Sequence, residues 1–135
     1  MANFMYPNAK RLMLTGALDW TSDPIVAVLL TSAGYTPSVN HTCLLDVPAA
    51  ARVAASNVLT GKTVVANVVD ADDYLYTSLS GPTVGAVLLA VNSGSEATSW
   101  LLCYLDSNLA GLPLTPDGGD MQLVWDNGPS KIFAL

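Results

Sequence analysis

The chain is dominated by continuous apolar runs, of which the longest are Ile25–Leu30 and Val84–Val91. Runs of this length between turn residues are typical of buried strands, whereas a strand with one face in water alternates apolar and polar residues. Trp100–Leu105 also fails to alternate. We therefore expect strands that are covered on both faces. The cover is the rest of the chain, an N-terminal helix included, or a partner protein, or both.

About eight short strands are predicted from segments rich in apolar, β-branched and aromatic residues. Thr60-Gly61 predicts a tight turn, Ser80-Gly81-Pro82 ends another strand, and Asn127-Gly128 predicts a hairpin between the last two strands. Many short strands at this spacing favour an all-β, antiparallel sandwich or barrel. The predicted strands are Ile25–Leu30, Arg52–Leu59, Lys62–Val69, Tyr74–Leu79, Thr83–Asn92, Ser99–Leu105, Met121–Trp125 and Lys131–Ala134.

One short N-terminal helix is predicted over Asn8–Thr15. Pro7 precedes it, Asn8 is a favourable N-cap residue, and Gly16 can end it. The sequence contains no linker and no internal repeat, and its length of 135 residues is typical of one domain. We therefore predict a single domain, 1–135.

The balance of charge and hydrophobicity limits the classes of partner. Charged residues make up 12 % of the chain and hydrophobic residues 51 %, against about 25 % charged in an average soluble protein. This predicts that other chains cover part of the surface. The net charge is −6 and the five basic residues are scattered, which argues against a nucleic-acid partner. No apolar run is long enough for a membrane helix, and the first residues do not resemble a signal peptide, so we expect assembly in the cytoplasm and no membrane partner.

Catalytic and metal-binding chemistry is poorly represented. His41 is the only histidine and there is no Gly-x-Ser-x-Gly motif, so a serine–histidine catalytic pair is not predicted. Gly61-Lys62-Thr63 matches the end of a phosphate-binding loop but lacks its first glycine and its helix. Cys43 and Cys103 are predicted to be buried free thiols rather than a disulfide, and with His41 they are too few for zinc. We predict no catalytic residue, no metal site and no cofactor.

Asp70-Ala71-Asp72-Asp73 is the densest acidic cluster. Calcium needs several converging oxygen ligands, and an EF-hand loop starting at Asp70 would need Gly and Glu where Leu75 and Gly81 stand. A solvated turn before a strand is the favoured interpretation. A weak calcium site, or a water-mediated site between subunits, is the alternative.

Short turn and strand motifs follow one another along nearly the whole chain: Asp19-Trp20, Ser22-Asp23, Tyr35, Asp46-Val47-Pro48, Ala51-Arg52-Val53, Leu59-Thr60-Gly61-Lys62, Asp70-Ala71-Asp72-Asp73, Glu96-Ala97-Thr98-Ser99, Leu112-Pro113, Gly118-Gly119-Asp120, Trp125-Asp126-Asn127-Gly128 and Lys131-Ile132-Phe133. In this order they resemble a widespread family of small proteins of tailed bacteriophages, some of which are similar to capsid cement or decoration proteins. The resemblance implies a jelly-roll-like β-sandwich bound outside an HK97-type major capsid protein. It implies no catalytic residues.

The function that follows is a structural virion protein, a capsid cement or decoration protein that stabilises the shell. The alternative is a tail, baseplate or head-completion subunit. A small enzyme or ligand-binding barrel and a cell-surface adhesin are less favoured. The expected partners are the major capsid protein and copies of the chain itself, as a dimer or trimer. Residues 1–7 are predicted to form an N-terminal arm, and both ends to dock on their own core or on a neighbour. The predicted interface residues are Phe4, Met5, Tyr6, Trp20, Ile132, Phe133 and Leu135.

Overall fold

The computed structural model describes residues 4–31, 34–106, 112–125 and 131–134. This part of the chain is mostly β, with one helix and antiparallel strand pairs, so the all-β prediction is confirmed. None of its helices is long and apolar enough to cross a bilayer. The elements are β1 (Phe4–Met5), α1 (Pro7–Leu14), β2 (Ile25–Thr31), β3 (Arg52–Ala55), β4 (Thr63–Val65), β5 (Val68–Asp70), β6 (Tyr74–Tyr76), β7 (Val84–Val91), β8 (Leu101–Leu105), β9 (Met121–Leu123) and β10 (Phe133–Ala134).

The predicted helix is present, shifted by one residue. Pro7 occupies the first turn, where its missing N–H and fixed φ cost nothing, so the N-cap position falls on Tyr6 rather than on Asn8. The Asn8 side chain instead accepts a hydrogen bond from Arg11 at 2.8 Å. The chain leaves the helix at Gly16, which has a φ of 79°.

Five strands form the central sheet in the order β1-β8-β7-β2-β3, and β2 pairs with β7 along its whole length. The register shifts at one end of this pair. Thr31 lies opposite Val84 and Leu30 opposite Ala86, so Gly85 is an extra residue in β7. An extra residue of this kind is a β-bulge, which bends the strand and disrupts the ladder locally.

The central strands send alternate side chains into two apolar clusters, one on each face of the sheet. Leu29 and Leu89 belong to the first cluster, and Leu30 and Leu88 belong to the second. All four side chains are fully buried. A strand covered on both faces has no solvent side on which polar residues could alternate, which explains the continuous runs. For these residues the chain itself supplies the cover.

The first face is covered by two small sheets, with strand orders β10-β5-β4 and β6-β9. Val69, Phe133 and Leu123 bring these sheets into the first cluster, together with other side chains from the same layer. The Tyr76 hydroxyl donates a 2.6 Å hydrogen bond to the backbone carbonyl of Ala27 in the central sheet. The two layers are therefore joined by apolar packing and by at least one buried polar contact.

The second face is covered by the start of the chain and by the segment before β3. Tyr6, Tyr35 and Val47 pack there against the central strands. Arg52 holds the segment before β3 in place, because its Nη2 donates to the backbone carbonyl oxygens of Leu44 and Val47 at 2.6 and 2.7 Å. The same layer contributes Tyr35, Thr36 and Pro37 to the lining of a cleft.

The turn predicted at Thr60-Gly61 does not join two paired strands. β3 pairs with β2, and the predicted strand Lys62–Val69 is a hairpin of two strands, β4 and β5. The two-residue turn between them is Ala66-Asn67, and Ala66 has a φ of 55°. Gly, Asn or Asp is the usual residue at a positive φ in such a turn. An alanine gives no sign of it in the sequence.

The hairpin predicted across Asn127-Gly128 is wrong in its pairing, although residues 126–130 themselves lie outside the described part of the chain. β9 pairs with β6, whereas β10 pairs with β5. The cause lies at Trp125, whose backbone N–H donates to Asp73 Oδ1 and whose indole N–H donates to the Asp72 carbonyl, both at 3.0 Å. These bonds tie the end of β9 to the turn between β5 and β6.

Candidate functional site

The acidic turn Asp70–Asp73 accepts hydrogen bonds from the indole groups of two tryptophans. The backbone carbonyl of Asp70 accepts from the Trp20 indole N–H at 3.1 Å, and the carbonyl of Asp72 accepts from Trp125. In the described ranges no group of three or more His, Cys, Asp or Glu residues is arranged to hold a metal ion. The contacts of the turn are architectural, since they position aromatic core residues.

His41 is connected to the core through two tyrosine hydroxyls. Its Nδ1 lies 2.8 Å from the Tyr35 hydroxyl, which lies 2.7 Å from the Tyr6 hydroxyl. Burial raises the pKa of both tyrosines, and the hydrogen bond to Tyr35 raises that of Tyr6 further, so both keep their protons. With Nδ1 of His41 as the acceptor, Tyr35 donates to His41 and Tyr6 donates to Tyr35, which uses every hydroxyl proton. The chain of bonds holds the His41 loop in place.

Two further polar groups stabilise the same region. Asp46 Oδ2 accepts the backbone N–H groups of Thr42 and Cys43 at 2.8 and 3.3 Å, which lowers the pKa of its carboxyl group. Cys43 and Cys103 are free and buried, so the prediction of two free thiols is confirmed. Burial raises the pKa of the Cys103 thiol well above its usual value. A buried neutral thiol is inert, because the thiolate is the reactive form.

A cleft of about 340 Å³ opens beside this layer, at the end of the central sheet where β7 bulges. Its volume is at the small end of the roughly 300–1,000 Å³ of ligand pockets. The bulge residue Gly85 lines it, and the bulge is a feature that occurs often beside functional sites. The lining residues are Tyr35, Thr36, Pro37, Gly85, Tyr104, Asp106 and Pro113.

Two aromatic rings and one carboxylate give this cleft its chemical character. The rings of Tyr35 and Tyr104 have centroids 6.1 Å apart and are tilted by 55°. Burial raises the pKa of both phenols, and the negative charges of Asp46 and Asp106 add to this for Tyr35 and Tyr104 respectively. Both rings belong to the second cluster and are only 8 % and 7 % exposed, so among the lining residues Asp106 is the one that brings charge to the cleft.

A second feature of the surface is the open edge of β4, the last strand in the order β10-β5-β4, which pairs on its outer side with no strand of the described residues. Val64 and Val65 are 49 % and 72 % exposed. A charged side chain beside the edge would discourage pairing with another strand, and Lys62 is the nearest lysine in the sequence. However, Lys62 Nζ donates to the backbone carbonyl of Asp23, and burial lowers the pKa of Lys62. Native edge strands are usually protected by charge, proline or a covering segment. β4 has two exposed valines, and the neighbouring lysine is held by Asp23.

The predicted interface residues lie mostly inside the molecule. Tyr6, Trp20, Ile132 and Phe133 are buried in the two clusters, Phe4 and Met5 are half-buried, and Leu135 lies outside the described residues. Phe4 and Met5 pair with β8, so the predicted arm, from Phe4 onward, lies on its own sheet. The described residues of this set expose little of their side chains to a partner. An interface at these positions stays a prediction, and their burial does not favour it.

The exposed apolar side chains are at other positions, which the sequence interpretation did not single out. The sequence predicts a strand at Val64 and Val65, but nothing in it distinguishes an edge strand from a covered one. Tyr104 and Asp106 became neighbours of Tyr35 only through the fold. The large exposed apolar residues of the described chain are Leu14, Val39, Leu45, Val58, Val64, Val65 and Leu75.

No protein-family model matches the sequence, and no curated protein matches it either.

Proposed function

We propose that this chain is a structural protein of a tailed-bacteriophage particle, a cement protein that binds outside an HK97-type major capsid protein shell and stabilises it. The observation that supports this most is the open edge of β4. An exposed strand edge with apolar side chains can extend the sheet of a neighbouring protein through main-chain hydrogen bonds. The low charge content and the order of motifs along the chain support the same role.

The architecture is compatible with a jelly-roll-like sandwich, which we include in the proposal. In such a sandwich, antiparallel sheets pack face to face around an apolar core. Here the first cluster lies between the central sheet and the layer of two small sheets. The second face is closed by loops and by the β1–α1 junction, which leaves the outside of the small sheets for partners.

A small contact at each copy is sufficient for such a role. A cement protein is present in many copies, and linked binding events reinforce one another when several contacts form together. The strand β4 has only three residues, Thr63–Val65, so one edge pairing is weak by itself. We propose that copies of the chain associate with each other as a dimer or trimer as well as with the shell.

The test is binding of the purified chain to particles assembled without it. Val65→Lys places a charge on the β4 edge. Val39→Lys is the matched control, because Val39 is 59 % exposed and lies in the segment between β2 and β3, outside β4. We expect Val65→Lys to weaken binding at least tenfold and Val39→Lys to leave it unchanged, with equal melting temperatures. Equal binding by both variants would contradict the β4 assignment. Binding to isolated tails or baseplates, and not to shells, would favour the tail or baseplate alternative.

A further inference from the structure

We propose that the open edge of β4 pairs antiparallel with β4 of a second copy of this chain, about a two-fold axis at Val64. The paired strands join the small sheets of two copies into one sheet, with the strand order β10-β5-β4-β4-β5-β10. The inference deepens the proposed function and rests on it for a biological role, because it names the neighbour that the β4 edge meets. It selects a dimer over a trimer.

The backbone of Val64 turns its hydrogen-bonding groups out of the sheet. Val64 lies opposite Val69, and the Val69 carbonyl accepts from the Ile132 N–H at 3.2 Å, on the side of β10. In an antiparallel pair, two opposite residues either bond each other through both groups or both turn these groups away. Val69 faces β10, so Val64 directs its N–H and C=O to the open edge. No strand or turn of the described residues meets them there.

A two-fold axis at Val64 uses both of these groups at once. In an antiparallel pairing centred there, Val64 lies opposite Val64 of the second copy, and each N–H donates to the other C=O. Thr63 of either copy then lies opposite Val65 of the other. The strand has three residues with Val64 in the middle, so it is complementary to itself. A two-fold interface requires this property, because the same patch serves both partners.

The side chains of β4 gain cover in this register. Val64 is opposite Val69, which is buried in the first cluster, whereas Val64 at the edge is 49 % exposed. A second Val64 beside it extends the apolar contact past the edge. On the other face of the strand, Val65 is 72 % exposed and meets Thr63 of the second copy. Cross-strand side-chain pairs of this kind are the contacts that stabilise a sheet.

The absence of charge on β4 favours a second copy as the occupant. The chain carries a net charge of −6, so two copies repel each other except where they meet at an uncharged surface. Thr63, Val64 and Val65 carry no charge, and Lys62 beside them donates to the Asp23 carbonyl. A partner of different sequence can answer a charge with the opposite charge, whereas an identical partner cannot. Like charges directly opposite each other destabilise a strand pair, and this register brings none together.

The pairing is small, so we expect a weak dimer in solution. Three residues from each copy bury far less than the roughly 1,200 Å² of a stable specific interface. We expect a Kd on the order of 0.1–1 mM for the free chain. On a particle, the same contact links neighbouring copies and reinforces their binding to the shell.

The experiment is disulfide trapping of cysteine variants of the full chain under mild oxidation, without particles. Val64→Cys places two thiols opposite each other at the axis, where the Cα atoms of a hydrogen-bonded antiparallel pair lie about 5.5 Å apart, within disulfide range. Val39→Cys is the control for random collisions, because Val39 is exposed and lies outside β4. The native thiols of Cys43 and Cys103 are buried and free, so the unmodified chain gives the background. We expect Val64→Cys to form covalent dimers at least tenfold faster than Val39→Cys.

The register gives a stricter comparison. Two copies of Val65→Cys place their thiols at diagonal positions, about 7–8 Å apart between Cα atoms, beyond the usual disulfide range. This variant should crosslink at least fivefold more slowly than Val64→Cys, although Val65 is the more exposed residue. An equal mixture of Thr63→Cys and Val65→Cys should form the mixed dimer. Melting temperatures check that each variant is folded.

The unmodified chain supplies the answer if Val64→Cys does not fold. In the ¹⁵N-labelled chain, the amide signal of Val64 should shift as the concentration rises through the range of about 0.1–1 mM, and that of Val39 should not. A Val64 signal that stays constant over this range contradicts the pairing.

Two trapping results would overturn the proposal. One is crosslinking of Val64→Cys at the rate of Val39→Cys, and the other is crosslinking of Val65→Cys as fast as that of Val64→Cys. A trapped dimer that does not bind particles contradicts the cement assignment and supports the self-pairing. Loss of particle binding in Val65→Lys, without trapping at Val64, supports the cement assignment and overturns the self-pairing.

Discussion

The hydroxyl oxygens of Tyr6 and Tyr35 lie 2.7 Å apart in the layer that covers the second face of the central sheet. Tyr6 stands between β1 and α1, and Tyr35 belongs to the segment that leads to His41. The bond therefore joins the start of the chain to a loop that also lines the cleft. It connects the stability of the fold with the geometry of the candidate site.

Removing the Tyr35 hydroxyl should cost more than removing that of Tyr6. Tyr35→Phe leaves the fully buried Tyr6 hydroxyl without this partner, which we expect to cost about 1–3 kcal/mol, whereas Tyr6→Phe removes the buried group itself and should cost about 0.5–1.5 kcal/mol. Urea unfolding of both variants and of the double variant measures this. The double variant should cost less than the sum. A larger loss for Tyr6→Phe would show that the hydroxyl chain is not arranged as described.

Replacing Ala66 by glycine should stabilise the chain. Ala66 has a φ of 55°, and this left-handed conformation costs a residue with a Cβ about 1–2 kcal/mol of stability. Glycine avoids that cost, but its more flexible unfolded chain lowers the free energy of unfolding by about 0.4–1 kcal/mol. We expect a net gain of about 0.5–1 kcal/mol in the free energy of unfolding. Ala97→Gly is the control, because Ala97 is exposed and has no positive φ, and it should lose stability. Loss in both variants would rule out strain at Ala66.

The class of fold and most strands were predictable because burial leaves a direct trace in the sequence. Ile25–Leu30 and Val84–Val91 are apolar throughout because both faces are covered, and the runs mark β2 and β7 almost to the residue. Pairing was less predictable. The partner of β9 depends on hydrogen bonds from Trp125 to a turn about 50 residues away, and no local signal encodes such a contact.

The candidate sites were less predictable than the fold. Tyr35 is far along the chain from Tyr104 and Asp106, and the fold brings them to one cleft that the bulge residue Gly85 also lines. The chain ends looked like interface segments because they are apolar. Apolar residues also fill cores, and periodicity cannot distinguish a core from an interface. Phe133 illustrates this, since it packs against Trp20 with ring centroids 5.6 Å apart.

The hydrogen bonds to Asp46 should make stability depend on pH. The pKa of Asp46 is lowered in the folded chain, so its contribution is complete above the unfolded value of 3.8 and is lost as the pH falls through the folded value. The measurement is the melting temperature of the unmodified chain and of Asp46→Asn, near neutral pH and below pH 3.8. The difference between them should shrink in acid. A constant difference would mean that the Asp46 charge does not contribute.

Cys103 should resist alkylation until the chain unfolds. It is 1 % exposed, and burial raises the pKa of its thiol, so little thiolate is present near neutral pH. Peptide mapping after iodoacetamide treatment should find Cys103 unlabelled in the native chain and labelled in urea. Labelling of native Cys103 at the rate of a free cysteine would contradict the packing of β8 between two covered faces.

We propose that the chain is a cement protein on the outside of a phage capsid, and a cryo-EM reconstruction of the intact particle tests this proposal most directly. We predict density for this fold outside the shell, in many symmetry-related copies, with the β4 edge against a neighbouring protein. Density only in the tail or baseplate, or a particle that lacks this chain altogether, would contradict it.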